Sequence, residues 1–134
     1  MGEKRVVLAL GANVDAEENI EKALILLQEI MASMRYSHPL WTLPIGIQTN
    51  SFLNCVVLGQ CEMEYEALRT QTKEIEQKCG NTAERRKNGE IAMDIDILLF
   101  GDKKYHRQDW KRQYIRDGME ELHLGSSESK VKPV

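Results

Sequence analysis

At 134 residues, with 42% hydrophobic and 29% charged side chains, the chain has the size and make-up of a single soluble domain that buries its own core without staples. A formal charge of −3 excludes the strongly basic surface that nucleic acid or an acidic membrane requires, so an anionic ligand would need a local basic patch. Three cysteines, odd in number and without a CxxC pair, argue against a disulfide framework or zinc site and for reduced thiols.

The opening MGEKRVVLAL has a charged head but only VVLAL behind it, too short for a signal peptide or a membrane span. The expectation is a cytoplasmic protein. RVVLAL, residues 5–10, reads as a buried strand ended by Gly11. Asp15 followed by Glu18 has the form of a capping box. Beyond it, Ile20, Ala23, Leu24, Leu27, Ile30, Met31 and Met34 recur at steps of three and four, which predicts a helix over about 16–33.

RYSHPLW, 35–41, is read as a strand whose Pro39 places it at an edge or bulge. TLPIGIQTN, 42–50, carries Pro, Gly and Asn and reads as a loop. SFLNCVVLGQC, 51–61, is a longer strand, with Phe52, Asn54, Val56 and Leu58 on one face and Leu53, Cys55 and Val57 on the other. A second helix is predicted over 64–79, on the stripe Tyr65, Leu68, Ile75 and Cys79, with Gly80 just past its end. Residues 81–90 read as a polar loop, 91–100 as the last strand and 107–123 as a third helix. The chain from 125 to 134 is expected to be a disordered tail after a single domain spanning 1–124.

The order β-α-β-β-α-β is that of the split βαβ, ferredoxin-like α+β unit: an antiparallel sheet with two helices on one face. In MDIDILLF, Ile95, Ile97 and Leu99 would then pack under the helices. Asp94 and Asp96 would emerge together on the uncovered face. Carboxylates on alternate strand positions stand about 6.6 Å apart. They repel by roughly 2.5 kcal/mol at an effective dielectric near 20. Solvent, a neighbouring cation, a shared proton or a divalent ion with oxygen preference, Mg²⁺ above all, would offset this. The plainer alternative is a strand whose outer face is simply acidic.

Asn54 and Phe52 share the same side of their strand. A carboxamide there suits the amide-like rim of a heterocycle on which the phenyl ring stacks, or else bonds to nearby backbone. Arg85, Arg86 and Lys87 together offer donors for polyphosphate oxygens, or form a solvated basic loop.

LALGANV, TLPIGIQTNSFLNCVV, IEQKCG and MDIDILLFGD, in this order over roughly residues 5–102, resemble the 6-hydroxymethyl-7,8-dihydropterin pyrophosphokinase family. The resemblance implies transfer of pyrophosphate from ATP to the pterin hydroxymethyl group, with Mg²⁺ as cofactor and AMP as the second product. Asp94 and Asp96 match the family's metal-binding pair. Asn54 matches its pterin-binding Asn, Phe52 an aromatic residue beside the pterin, and Thr42, Ile45 and Gly46 the loop lining that pocket. Glu76 matches a helix residue near the nucleotide.

The chain departs from the family pattern after the second helix. Asn81 and Ala83 stand where it has Arg-x-Arg, and NGEI stands where it has Trp-Gly-Pro-Arg, so Asn88 and Ile91 replace a Trp and an Arg. Arg85 and Arg86, as catalytic cations, and Lys87, as a nucleotide contact, are the nearby substitutes. Aligning Arg116 with the family's later Arg gives it a nucleotide role and puts Trp110 and Gly118 where a His and a Phe belong.

The implied partners are therefore small molecules, ATP and a reduced pterin, with no nucleic acid and no membrane, for a monomer or weak dimer. Two other readings fit the same residues: a non-catalytic pterin- or nucleotide-binding homologue, and a ferredoxin-like interaction module.

Overall fold

The apolar run from Val6 onward is β1 (Lys4–Ala12), and it is buried on both faces, which is why it reads as continuous rather than alternating. The computed structural model describes residues 2–43 and 51–131. Gly11 does not end β1 but lies inside it. α1 (Ala16–Gln28) follows and buries Ile20, Ala23, Leu24 and Leu27. Asp15 occupies its N-cap position, yet no side-chain cap forms. The residue is left-handed (φ 45°), whereas a capping side chain needs extended backbone to reach the free N–H groups.

The helix stops at Gln28, short of the predicted 33. Met31 and Met34 still pack on the core, but from the turn and from β2 (Ala32–Tyr36). A spacing of three between apolar residues does not separate a helix face from a turn leading into a twisted strand.

The predicted strand over 35–41 is split. β2 and β3 (Leu40–Thr42) each pair with β4 (Phe52–Cys61), and the break falls at Ser37–Pro39. Pro39 has no N–H to give the ladder. Ser37 bridges the gap: its N–H donates to Val56 O (2.9 Å), and its hydroxyl accepts from Val56 N (2.9 Å).

α2 (Tyr65–Lys78) ends as expected before Gly80, whose φ of +105° is the left-handed position glycine favours. Its inward face carries two polar residues beside Leu68 and Ile75, namely Thr72 and Glu76. The stretch 81–90, expected as a loop, contains a short helix, α3 (Ala83–Lys87), started by Thr82, whose hydroxyl accepts from Arg85 N (3.1 Å).

β5 (Asp94–Phe100) and a two-residue β6 (Lys103–Lys104) complete the sheet. The predicted third helix is divided into a 3₁₀ turn (Arg107–Lys111) and α4 (Gln113–Val131), parted by extended backbone at Arg112. α4 continues to Val131 through most of the stretch expected as a tail, and 132–134 lie outside the described residues.

The strand order is β2-β4-β1-β5-β6, antiparallel throughout, with β3 extending the β2 side along β4. Taking β2 and β3 as one interrupted strand, this is the ferredoxin-like α+β arrangement. α1 and α2 cover one face through a core that includes Leu8, Leu10, Leu53, Val57, Ile95 and Ile97.

The opposite face is not left free. α4 lays Ile115 and Leu122 over Val7, Ala9, Val56 and Leu98. The expectation for Leu99 is corrected with it. The β1–β5 register slips between Val7 and Leu8, Leu98 is the extra residue, and Leu99 turns to the α4 side instead of the α1/α2 side.

Candidate active site

Three neighbouring strands build the site. Gly11 of β1 is flanked by Asn54 on β4 and Asp94 on β5, and Ala9 by Val56 and Asp96. Paired residues of an antiparallel ladder share a face, so Phe52 and Asn54 on one side and Asp94 and Asp96 on the other look onto the same surface, the α4 side. Between these rows β1 presents only Ala9 and Gly11. The absence of large side chains there leaves a trough.

α4 covers the sheet beside this end but does not fill it. The remaining cavity, about 270 Å³, is lined by Ala9, Gly11, Thr42, Phe52, Asn54, Asp94 and Asp96, with Leu43 at the rim and Asp109, Arg112 and Tyr114 from the helical segment behind.

Asn54 is 6% exposed and fixed by its Nδ2, which donates to Thr42 Oγ1 (2.5 Å) and Phe52 O (3.3 Å). Its Oδ1 takes no hydrogen bond among the described residues, and the residue lines the cavity. A carboxamide held by its Nδ2 at a cavity wall is suited to recognising a donor on a ligand. A methyl on Gly11 would stand 3.1 Å from that oxygen and 3.7 Å from the Phe52 ring, so glycine is what keeps this edge accessible.

Asp94 and Asp96 are each about two-fifths exposed at the side chain. Asp94 Oδ1 accepts from Arg86 Nη2 at 2.9 Å. The same bond, outweighing burial, which acts the other way, pushes the Arg86 pKa up. Asp96 stands 3.9 Å from His106 Nε2, and burial, then the charge of Asp94, raise its pKa. No third His, Cys, Asp or Glu joins them in a group able to hold a metal among the described residues. The donor set is nonetheless the one a hard divalent cation uses when most of its ligands are water and phosphate: two carboxylates open to a cavity, without sulfur. Arg86 neutralises one oxygen of the pair, and both aspartates still line the cavity.

Other residues singled out from sequence are placed apart. Arg85 turns away, its Nη1 donating to Gly80 O (3.1 Å) and its Nε 3.5 Å from Glu90. Lys87 and Arg116 are exposed and off the cavity. Ile45 and Gly46 lie outside the described residues. Glu76 is 4% exposed and points its carboxylate at β5, accepting from Ile95 N at 2.7 Å; burial, outweighing that bond, raises its pKa.

A family model described as 7,8-dihydro-6-hydroxymethylpterin-pyrophosphokinase matches residues 7–124. The chain belongs to this family. Two curated relatives are each called folate synthesis bifunctional protein. One, from Arabidopsis thaliana, is 28% identical over 123 residues, covering 84% of this chain and 25% of its own length. The other, from Chlamydia caviae, is 27% identical over 126 residues, covering 83% and 27%. The chain thus spans about a quarter of the length of the curated relatives it matches.

In this pyrophosphokinase-family chain, three of the positions that depart from the sequence pattern, Asn81, Ile91 and Trp110, serve the framework. Asn81 Oδ1 accepts from Ala92 N (3.1 Å). Ile91 exchanges bonds with Asn13, whose Oδ1 accepts from Ile91 N (2.7 Å) and whose N donates to Ile91 O (2.8 Å). Trp110 Nε1 donates to Tyr105 O (3.1 Å) and Leu98 O (3.2 Å). Sequence reasoning missed Arg112, Asp109 and Tyr114, because nothing local marks which turn of an irregular C-terminal segment faces the sheet. Gly11 had a signal, a glycine within an apolar strand, which marks a close approach.

Proposed function

We propose that the chain transfers pyrophosphate from ATP to the hydroxymethyl group of 6-hydroxymethyl-7,8-dihydropterin, as a Mg²⁺-dependent enzyme of folate synthesis working in the cytoplasm. One observation carries this reading. In a chain of this family, a carboxamide–phenyl pair and a carboxylate pair face one another across a single trough. At about 270 Å³ the trough is near the lower limit of small-molecule clefts, which suits a bicyclic ring better than a whole nucleotide.

The pterin lies against Phe52, with Asn54 Oδ1 accepting from its amide-like rim and Thr42 holding the Asn54 amide in place. Its hydroxymethyl arm extends toward Asp94 and Asp96. The nucleotide takes the outer edge of β5, where a second hollow is lined by Arg69, Lys73 and His106 and also reaches Asp96. Arg86, at the side of Asp94, and Arg112, across the trough, join Arg69 and Lys73 as the cations that would face the phosphates.

In the reaction the hydroxymethyl oxygen bonds to the β-phosphorus. The bond from that phosphorus to the α,β-bridging oxygen breaks, and AMP leaves with the electron pair while the hydroxyl proton passes to solvent. Asp94 and Asp96 would hold Mg²⁺, which when bound supplies charge neutralisation at the phosphates. The remainder of the catalysis is positioning by the groups named above.

The test is a coupled assay with ATP, Mg²⁺ and the reduced hydroxymethylpterin, read as AMP formed. AMP appearing only when all three are present is the expected result. Tight pterin binding by calorimetry without AMP would select the non-catalytic binding protein instead.

A further inference from the structure

Among the described residues, the backbone leading into the carboxylate pair has no strand on its outer edge. β6 pairs only with Leu99 and Phe100, so the N–H groups upstream depend on side chains. Ala92 N is taken by Asn81 and Ile95 N by Glu76. The last matters most, because Ile95 is the residue between Asp94 and Asp96.

The acceptor is a side chain at 4% exposure that reaches from α2 to the β5 backbone. Its bond to Ile95 N is short, at 2.7 Å, so its length sets where that peptide sits. Its other oxygen is 3.9 Å from Lys73 Nζ, and it shares a hollow with Lys73 and Arg86, the partner of Asp94.

We propose that Glu76 is a positioning residue: its carboxylate clamps the peptide between Asp94 and Asp96 to α2, and so fixes the angle at which both carboxylates meet the trough, without itself touching the nucleotide. This rests on the pyrophosphokinase reading for its effect on turnover, but not for the clamp itself. The acceptor and the charge are separable. Glu76→Gln keeps an acceptor at the same reach and loses the charge. Glu76→Asp keeps the charge and draws the acceptor back by one methylene.

The experiment compares wild type, Glu76→Gln and Glu76→Asp in the full chain by amide hydrogen exchange and steady-state kinetics. Expected for Glu76→Asp is exchange at Ile95 at least about tenfold faster, with the amides of Val6 and Val57 within about twofold of wild type. Its kcat falls by about tenfold or more, with KM for ATP within about threefold. Glu76→Gln stays near wild type in both.

The reverse order of the two variants, equal damage in both, or a raised KM for ATP at unchanged kcat would overturn the assignment. If the wild-type chain forms no AMP, the proposed function fails. The Ile95 exchange then still decides for or against the clamp.

Discussion

Asp94 and Asp96 combine exposure, mutual repulsion and one cationic partner, and these set what their removal does. Asp94→Ala deletes a half-exposed ion pair with Arg86, the kind of contact worth about 0–1 kcal/mol. Asp96→Ala deletes a carboxylate that burial and Asp94 already disfavour as an anion. Each variant should unfold in urea within about 1 kcal/mol of wild type. AMP formation should fall on the order of a hundredfold or more, the loss expected when a group aimed at reacting charge is removed. Wild-type turnover in either variant would remove the aspartate pair from the chemistry. The thiols are a contrasting case at the same scale. Burial pushes the Cys55 pKa up to about 11, so at neutral pH it stays a thiol, and the thiolate is the nucleophile. Iodoacetamide should leave Cys55 unmodified in the native protein and modify it readily in urea, read by intact mass.

α4 shows how one residue decides where an element lies. A Cβ on Gly118 would fall 2.6 Å from Val56 Cγ2 and 2.9 Å from Val56 Cβ, and Val56 is β-branched and fully buried, so neither atom has room to move. Alanine is otherwise the better helix former, by about 1 kcal/mol. Overpacking a filled core typically costs about 1–3 kcal/mol, which outweighs that gain. Gly118→Ala should therefore lower stability by about 1–2 kcal/mol. Adding Val56→Ala should restore part of the loss, giving a coupling of opposite sign to the two single effects. Additive losses in urea melts of this cycle would mean that the close approach is not what Gly118 provides. From sequence, that glycine stands only where a family phenylalanine aligns. Its packing role is illegible there because it depends on which strand the helix crosses. The same holds for Asp15, whose residue type signals a cap although its left-handed backbone removes the chance to make one. By contrast, β1, α2, Gly80 and the two faces of β4 were legible, because each rests on a period or a dihedral preference carried within the segment itself.

Across the whole molecule, the ferredoxin-like order followed from the succession of periods, whereas the covering of the second face did not. The helix that covers it is amphipathic in a way that names no partner, and a bulge at Leu98 changes the parity of β5 midway. That covering has an electrostatic consequence. With α4 and the 3₁₀ turn behind it, Asp96 is drawn out of water beside Asp94 and Asp109, and its pKa is raised. A raised folded-state pKa means that the native chain binds the proton more tightly than the unfolded chain does. The stabilisation this provides is fully present below the ordinary aspartate pKa and is lost as pH rises through the raised value. Asp96→Asn carries no such proton. Relative to wild type, it should therefore gain stability from the acid side of that window to neutral pH, measured as the difference in urea midpoints. A difference that stays flat with pH would mean that Asp96 is not strained as an anion. Mg²⁺ supplies a second arm. An ion that binds the native pair stabilises only the chain that binds it, by an amount growing with free ion over its dissociation constant. Adding Mg²⁺ at neutral pH should raise the wild-type midpoint and leave Asp96→Asn nearly unmoved, narrowing the gap that the proton linkage opened. Equal shifts in the two proteins would place the ion elsewhere.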